Sequence, residues 1–218
     1  MKIARSYENI AEDILNPEVE YSCLNKQVVL SRMIDNLPSE PWANIEINDW
    51  LPKDEELLIE YSFYNTPFGN VLVANTSKGI CYLGLIEGNL EDVLSDFEKR
   101  FSYTNRVETQ TLQQKQAVDF LNGKTDKLLL FHLRGTPYQI GIWRKLIRIP
   151  YGKVISYATL EGSAQFARAA GAANGRNPIF WIIPCHRVVK TDGGFDRYFW
   201  GKDVKKRLLG WEFANSKI

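Results

Sequence analysis

Three short apolar runs, Leu57–Tyr64, Asn70–Asn75 and Ile80–Leu85, constrain this chain more than any other feature. Each is rich in β-branched and aromatic residues. The turn signals Thr66-Pro67-Phe68-Gly69 and Ser77-Lys78-Gly79 separate them, so they read as strands. The period then changes: Leu90, Val93, Leu94, Phe97 and Phe101 recur at helical spacing behind Asn89, an N-cap residue type. A second helix is expected over Gln110–Leu121, ending near Gly123, and Leu128–Leu133 is a further strand. Residues 53–132 therefore read as a small α+β domain.

The flanking stretches differ. Residues 1–52 show helical patches at Tyr7–Leu15 and Gln27–Leu37, but Pro17, Pro38, Pro41 and Pro52 punctuate them. They read as an N-terminal extension of unknown role, packing on the body through Trp42 and Trp50. Residues 133–218 open with Thr136-Pro137-Tyr138-Gln139, a cap, a first-turn proline and the glutamine of a capping box. Ile140, Trp143, Leu146 and Ile147 give that helix one apolar face, and Pro150 stops it. Helices beginning at Ser156–Leu160 and spanning Gln165–Asn174, with Gly162-Ser163 between them, fit a helix-turn-helix. In the second, Ala167-Arg168-Ala169-Ala170-Gly171-Ala172-Ala173 has little bulk. It serves either close helix packing or entry into a narrow groove with Arg168 projecting, and sequence does not separate the two.

Charge is distributed unevenly. Residues 1–132 carry 12 Lys and Arg against 21 Asp and Glu, a net −9; residues 133–218 carry 15 against 5, a net +10. A basic half favours a polyanion such as nucleic acid, although segregated surface charge gives the same count. With 44% hydrophobic and 24% charged residues, the composition is that of a globular chain. No apolar run approaches the ~18–20 residues of a membrane span, and the N-terminus has no signal-peptide core, so a cytoplasmic protein is expected. Three scattered cysteines (Cys23, Cys81, Cys185) and two histidines (His132, His186) speak against a disulfide framework and against a zinc site. No metal and no cofactor is expected.

The chemistry concentrates in Asn177-Pro178-Ile179-Phe180-Trp181-Ile182-Ile183-Pro184-Cys185-His186-Arg187-Val188-Val189. A thiol of ordinary pKa about 8.5 is a poor nucleophile at neutral pH unless cations or a base raise its thiolate fraction. Neighbours on a strand point to opposite faces, so a bend or a bridging water is needed for His186 to serve Cys185. On these residues alone, a buried, inert thiol is the favoured reading of Cys185.

Asn174-Gly175-Arg176-Asn177-Pro178 followed by Pro184-Cys185-His186-Arg187-Val188 resembles the signature of the O6-methylguanine-DNA methyltransferases. Phe131–Gln139, Ile149–Tyr157 and Tyr198-Phe199-Trp200-Gly201 resemble further landmarks of that family in the same order. The similarity runs from about Leu57 to Glu212 and is strongest to the C-terminal half of Ada-type bacterial proteins. It implies an α+β fold, with a small ribonuclease-H-like α/β N-terminal domain before a helical C-terminal domain holding a winged-helix-like helix-turn-helix. It implies irreversible transfer of an alkyl group from O6-alkylguanine in double-stranded DNA onto Cys185, with O4-alkylthymine a second candidate substrate. The protein would act once, as a monomer.

The resemblance also implies roles. His186 is the base, acting through a water and oriented by Glu212, and Asn177 joins the active-site hydrogen bonds. Tyr157 is associated with phosphate rotation and with protonation of the departing guanine. Arg168 replaces the flipped nucleotide in the base stack. Tyr198 walls the pocket, Pro184 lies among the substrate-contacting residues, and backbone groups around Cys185, Val188 and Phe199 read the guanine edge. Each tyrosine has a competing core reading. Arg197 and Phe199 stand where the family usually has glycine and often arginine, and the stretch from Tyr157 to Arg168 is short. Three other readings compete. A lesion sensor without transfer activity typically lacks the cysteine. An Ada-type regulator needs a cysteine-rich zinc domain, whereas residues 1–50 hold only Cys23. A Cys/His hydrolase would turn over esters or amides without DNA.

Overall fold

The three β-branched runs form an antiparallel meander, β2 (Ile59–Thr66), β3 (Gly69–Thr76) and β4 (Gly79–Leu85), at the centre of a six-stranded sheet. β4 is buried along its whole length and β3 over its last six residues, as continuous apolar runs require, whereas β2 is buried only at Ile59, Ser62 and Thr66. β5 (Arg106–Glu108) lies parallel to β2 at one edge. β6 (Leu129–Leu133) follows β4 in the sheet order, and β1 (Ile45–Asp49) pairs parallel to β6 at the other edge, Ile45 opposite Leu129 and Asp49 opposite Leu133. The computed structural model describes residues 24–124, 127–195 and 197–216; the helical patch expected at Tyr7–Leu15 lies outside them, as does Cys23.

β1 belongs to the stretch that sequence assigned to an N-terminal extension. Only Ile45 and Ile47 mark its inward face, too short an alternation to stand out between prolines. The helix expected over Gln27–Leu37 is also shorter, α1 (Lys26–Ser31), capped by Asn25. Beyond Ser31 the backbone leaves the helix to pair with Val154, through Val154 N–H to Arg32 O at 3.1 Å and Ile34 N–H to Val154 O at 2.9 Å.

Helices cover the sheet where the caps place them. α2 (Leu90–Arg100) starts at Asn89, whose side chain accepts from Glu91 N–H, and buries Val93 and Phe97. α3 (Leu112–Leu121) has a capping box between Thr111 and Gln114, and α4 (Pro137–Leu146) has one between Thr136 and Gln139. Such caps each contribute about 1 kcal/mol. After β7 (Ile155–Ser156) come α5 (Tyr157–Glu161), a 3-10 turn at Ala164–Phe166 and α6 (Ala167–Asn174). β7 pairs parallel with β8 (Val188–Val189), and α7 (Lys202–Asn215) closes the described chain. α7 escapes a periodicity reading because Val204, Lys205, Leu208, Leu209, Trp211, Glu212 and Phe213 are all buried, with no clean polar stripe. None of the described helices is long and apolar enough to cross a membrane.

One feature of the sheet places the site. β4 meets β6 at Ile80, but further along, Leu83 pairs instead with Ile179. Leu83 N–H donates to Pro178 O at 3.0 Å and Phe180 N–H to Leu83 O at 2.8 Å. The segment leading to Cys185 is thus anchored on the most buried strand. A single apolar cluster then runs from Val71, Leu83 and Phe131 through Trp143 to Phe180, Trp181, Cys185 and Trp211.

Candidate active site

Cys185 does not continue a strand. It opens a 3-10 turn, Cys185–Arg187, closed by Arg187 N–H to Pro184 O at 3.0 Å. The turn supplies the bend that adjacency of Cys185 and His186 demanded. Its cause is upstream: Asn177 uses its amide three ways, donating to Ile179 O (2.9 Å), Ile183 O (2.8 Å) and Cys185 Sγ (3.1 Å), while its Oδ1 accepts from Ile179 N–H. Asn174 adds a bond from Nδ2 to Cys185 O at 3.1 Å. Side-chain amides here do for the loop what a sheet ladder does for a strand.

Cys185 is 1% exposed. Burial pushes its thiol up, while Asn177, Tyr198 and the Lys205 ammonium act to pull it back. Tyr198 Oη lies 3.8 Å from the sulfur. Lys205, fully buried on α7, donates to Val188 O at 2.7 Å. The resting sulfur is therefore a protonated thiol with groups around it that favour the thiolate, and a base completes such a nucleophile.

His186 and Glu212 are both fully buried, and Nε2 of the ring meets Glu212 Oε1 at 2.8 Å. Burial holds His186 below its ordinary range against the pull of Glu212, so the ring is neutral at pH 7. A carboxylate on Nε2 keeps the proton there and leaves Nδ1 as the basic nitrogen. Nδ1 is buried and has no hydrogen-bond partner among the described residues.

The carboxylate is itself clamped. Arg187, fully buried, donates from Nε to Glu212 Oε2 and from Nη2 to Oε1, both at 2.9 Å, and from Nη1 to Ile149 O at 2.7 Å. Gly152 N–H adds a bond to Oε2 at 3.2 Å. Gly152 has φ of +71°, and a Cβ there would fall 2.1 Å from Ser216 Oγ, so this donor position tolerates only glycine. Although burial opposes it, Arg187 and His186 hold the Glu212 carboxyl down at about 2. Sequence reading placed Arg187 beside the cysteine without a task, and it missed Asn174 and Lys205. Asn174 and Arg187 stand inside the signature segments but their tasks depend on distant partners, and no local pattern marks Lys205.

The remaining residues named from sequence divide. Tyr157, Arg168 and Lys205 line one cleft of about 750 Å³ together with Gly171, Lys190 and Arg197. Lys205 acts electrostatically on Cys185, and Cys185 on Tyr157. Burial first, then the sulfur, pushes the Tyr157 phenol up to about 12. Arg168 is exposed near the start of α6, whose buried side is Ala170, Ala173 and Asn174. The buried side fits the close-packing reading, and Arg168 stands on the exposed side. Pro184 precedes the 3-10 turn and Val188 lies in β8. Phe199 is 46% exposed, its ring against Trp200 and under the Arg100 guanidinium. No cluster of three or more metal-ligating side chains occurs among the described residues.

Comparison with known proteins gives this geometry a context. The family described as "6-O-methylguanine DNA methyltransferase, DNA binding domain" matches residues 137–214. A methylated-DNA–protein-cysteine methyltransferase of Methanosarcina barkeri is 32% identical over 160 residues, covering 71% of this chain and 98% of the relative. The Escherichia coli "Bifunctional transcriptional activator/DNA repair enzyme Ada" is 31% identical over 170 residues, and there the match spans 75% of this chain but only 48% of the relative. The crystal structure of Mycobacterium tuberculosis OGT in complex with DNA superposes with a TM-score of 0.59 at 31% identity, covering 72% of this chain and 94% of that one.

Proposed function

The chain belongs to the family of methylated-DNA–protein-cysteine methyltransferases, and from that premise we propose that it repairs DNA by moving an alkyl group from O6 of guanine onto its own Cys185. The observation that carries this reading is one turn of chain holding a buried thiol and a neutral, carboxylate-held histidine with an unpartnered nitrogen. His186 Nδ1 takes the thiol proton through one water, and Glu212 steadies the imidazolium that results. The sulfur then attacks the alkyl carbon. The S–C bond forms as the C–O6 bond breaks, and guanine leaves with the electron pair. Tyr157, kept protonated because burial pushes its phenol up to about 12, donates to the departing base and is reprotonated through solvent as the His186 imidazolium releases its proton. The thioether has no route back to a thiol, so each molecule acts once.

The substrate follows from access. A base stacked in a duplex cannot present O6 to a buried sulfur, and extruding it costs a few kcal/mol, less when its pair is damaged. Arg168 fills the vacated stack from the exposed face of α6, and small residues let that helix approach the minor groove. Tyr198 and Pro184 border the base, with backbone groups of Cys185, Val188 and Phe199 on its edge. The cationic cleft gives affinity for the phosphates without reading sequence. In this account residues 53–132 are the ribonuclease-H-like domain and 133–218 the DNA-binding domain with a winged-helix-like helix-turn-helix. The protein works as a cytoplasmic monomer without a cofactor.

The test is transfer of a labelled methyl group from duplex DNA. Cys185→Ser should accept none yet bind the duplex with near wild-type affinity. Binding lost along with transfer would mean that Cys185 is structural.

A further inference from the structure

The stretch Asn25–Trp42 precedes the landmark motifs of Leu57–Glu212 and touches the machinery around Cys185 at three places. The Trp42 ring lies over the buried Arg187 guanidinium, 4.5 Å from its centre, with Tyr151 5.5 Å away on the same cation. Trp42 is fixed there from several directions: its Nε1 donates to Ile182 O at 3.3 Å and its N–H to Ile147 O at 2.7 Å. Its ring meets Trp181 and Phe120 edge-on, at 5.6 and 5.7 Å. At the other end, α1 packs beside the loop that bounds the cleft. Lys26 pairs with Asp192, and Gly193, at φ +78°, would bring a Cβ within 2.8 Å of Lys26 O. Between the two ends, Arg32 donates to Phe213 O and Ser216 Oγ at the end of α7, the helix that carries Glu212.

Arg187 holds both oxygens of Glu212, and Glu212 orients His186. Whatever fixes the plane of the guanidinium therefore fixes the base. We propose that Asn25–Trp42 is a strap that positions the alkyl-acceptor site, with Trp42 the residue that sets Arg187 and, through Glu212, the His186 base. Trp42 is a positioning residue and touches neither substrate nor sulfur. Its ring covers the cation with an aromatic face, which excludes water from the Arg187–Glu212 pair while favouring the charge. The groups facing His186 in this arrangement are Glu212 and Lys205 from α7, Arg187 from its own turn and the Tyr198 ring.

This inference rests on the proposed transfer, and the experiment separates the two. Transfer from O6-methylguanine duplex is followed in single turnover at saturating DNA for wild type, Trp42→Phe and Trp42→Leu, which keep the site filled with apolar volume. Trp42→Phe should stay within about twofold of wild type, and Trp42→Leu should fall roughly tenfold, the loss of one desolvated cation–π contact. DNA affinity should be unchanged in both. In Trp42→Leu the acid limb of the pH–rate profile should move to higher pH, because water reaching the clamp relieves the burial that depresses His186. No transfer by the wild type would sink the functional reading itself. A wild type that transfers, with Trp42→Leu matching it in rate and acid limb, would overturn the strap alone.

Discussion

The sheet and the acceptor region each bury a histidine against a carboxylate, and the difference between the two pairs identifies the reactive one. In the sheet, His132 Nε2 lies 3.0 Å from Asp54 Oδ2, as His186 Nε2 lies 2.8 Å from Glu212 Oε1. Both rings are fully buried, and both are held below the ordinary histidine range chiefly by burial. But His132 Nδ1 is occupied by Thr76 Oγ1 at 2.8 Å and the ring is stacked on Trp50, whereas His186 Nδ1 has no partner among the described residues. A carboxylate partner alone does not make a base; a free nitrogen beside a nucleophile does. The cysteines repeat the lesson. Burial pushes the Cys81 and Cys185 thiols up, yet Asn177, Tyr198 and Lys205 oppose it only at Cys185.

The widest separation between the pairs should appear on replacing each ring. His186→Gln should slow transfer by roughly 10²–10⁴-fold, the usual contribution of a positioned base. His132→Gln should leave the transfer rate within about twofold and instead cost about 1–3 kcal/mol of stability in urea melts, the penalty of broken buried bonds. Equal rate losses would erase the distinction.

The carboxylates should separate next. Glu212→Gln strands the Arg187 charge inside the protein, and a cost of about 3–5 kcal/mol is expected by chemical denaturation. Asp54→Asn strands Lys78, whose side chain is 40% exposed and can be solvated, so its cost should be clearly smaller. A larger loss for Asp54→Asn would reverse the comparison.

The smallest effect is the pH dependence of stability. Both histidines are depressed in the folded protein, so the unfolded chain binds more protons as pH falls through 6.5, and stability should decline from there. Asp54 and Glu212, each held at about 2 against ordinary values of 3.8 and 4.5, contribute stability that is present above those values and lost as pH falls toward 2. Urea midpoints between pH 2 and 8 should therefore fall in two stages. A flat profile from pH 8 to 5 would deny that the rings are buried neutral.

What could be read from sequence was local. Asn89, Thr136-Pro137 and Gln139 announced their helices because a cap and its helix are neighbours in the chain. The meander was legible for the same reason, as its turns lie within the signal. β1, α7 and the turn at Cys185 were not, since each depends on distant partners: β6 for β1, burial on all sides for α7, and the Asn177 amide for the turn. In the site, Cys185, His186 and Asn177 were visible through a motif, and Glu212 through the resemblance. Arg187 had no visible role, because its task is defined by Glu212 and Ile149, 25 and 38 residues away.

The central claim is covalent capture at Cys185, and the most direct test is the intact mass of the protein after incubation with duplex DNA carrying one O6-methylguanine, followed by peptide mapping. The account predicts a gain of one methyl group per molecule, confined to Cys185, that does not rise with further substrate. Tight lesion binding with no change in mass, or a methyl group on any other residue, would contradict it.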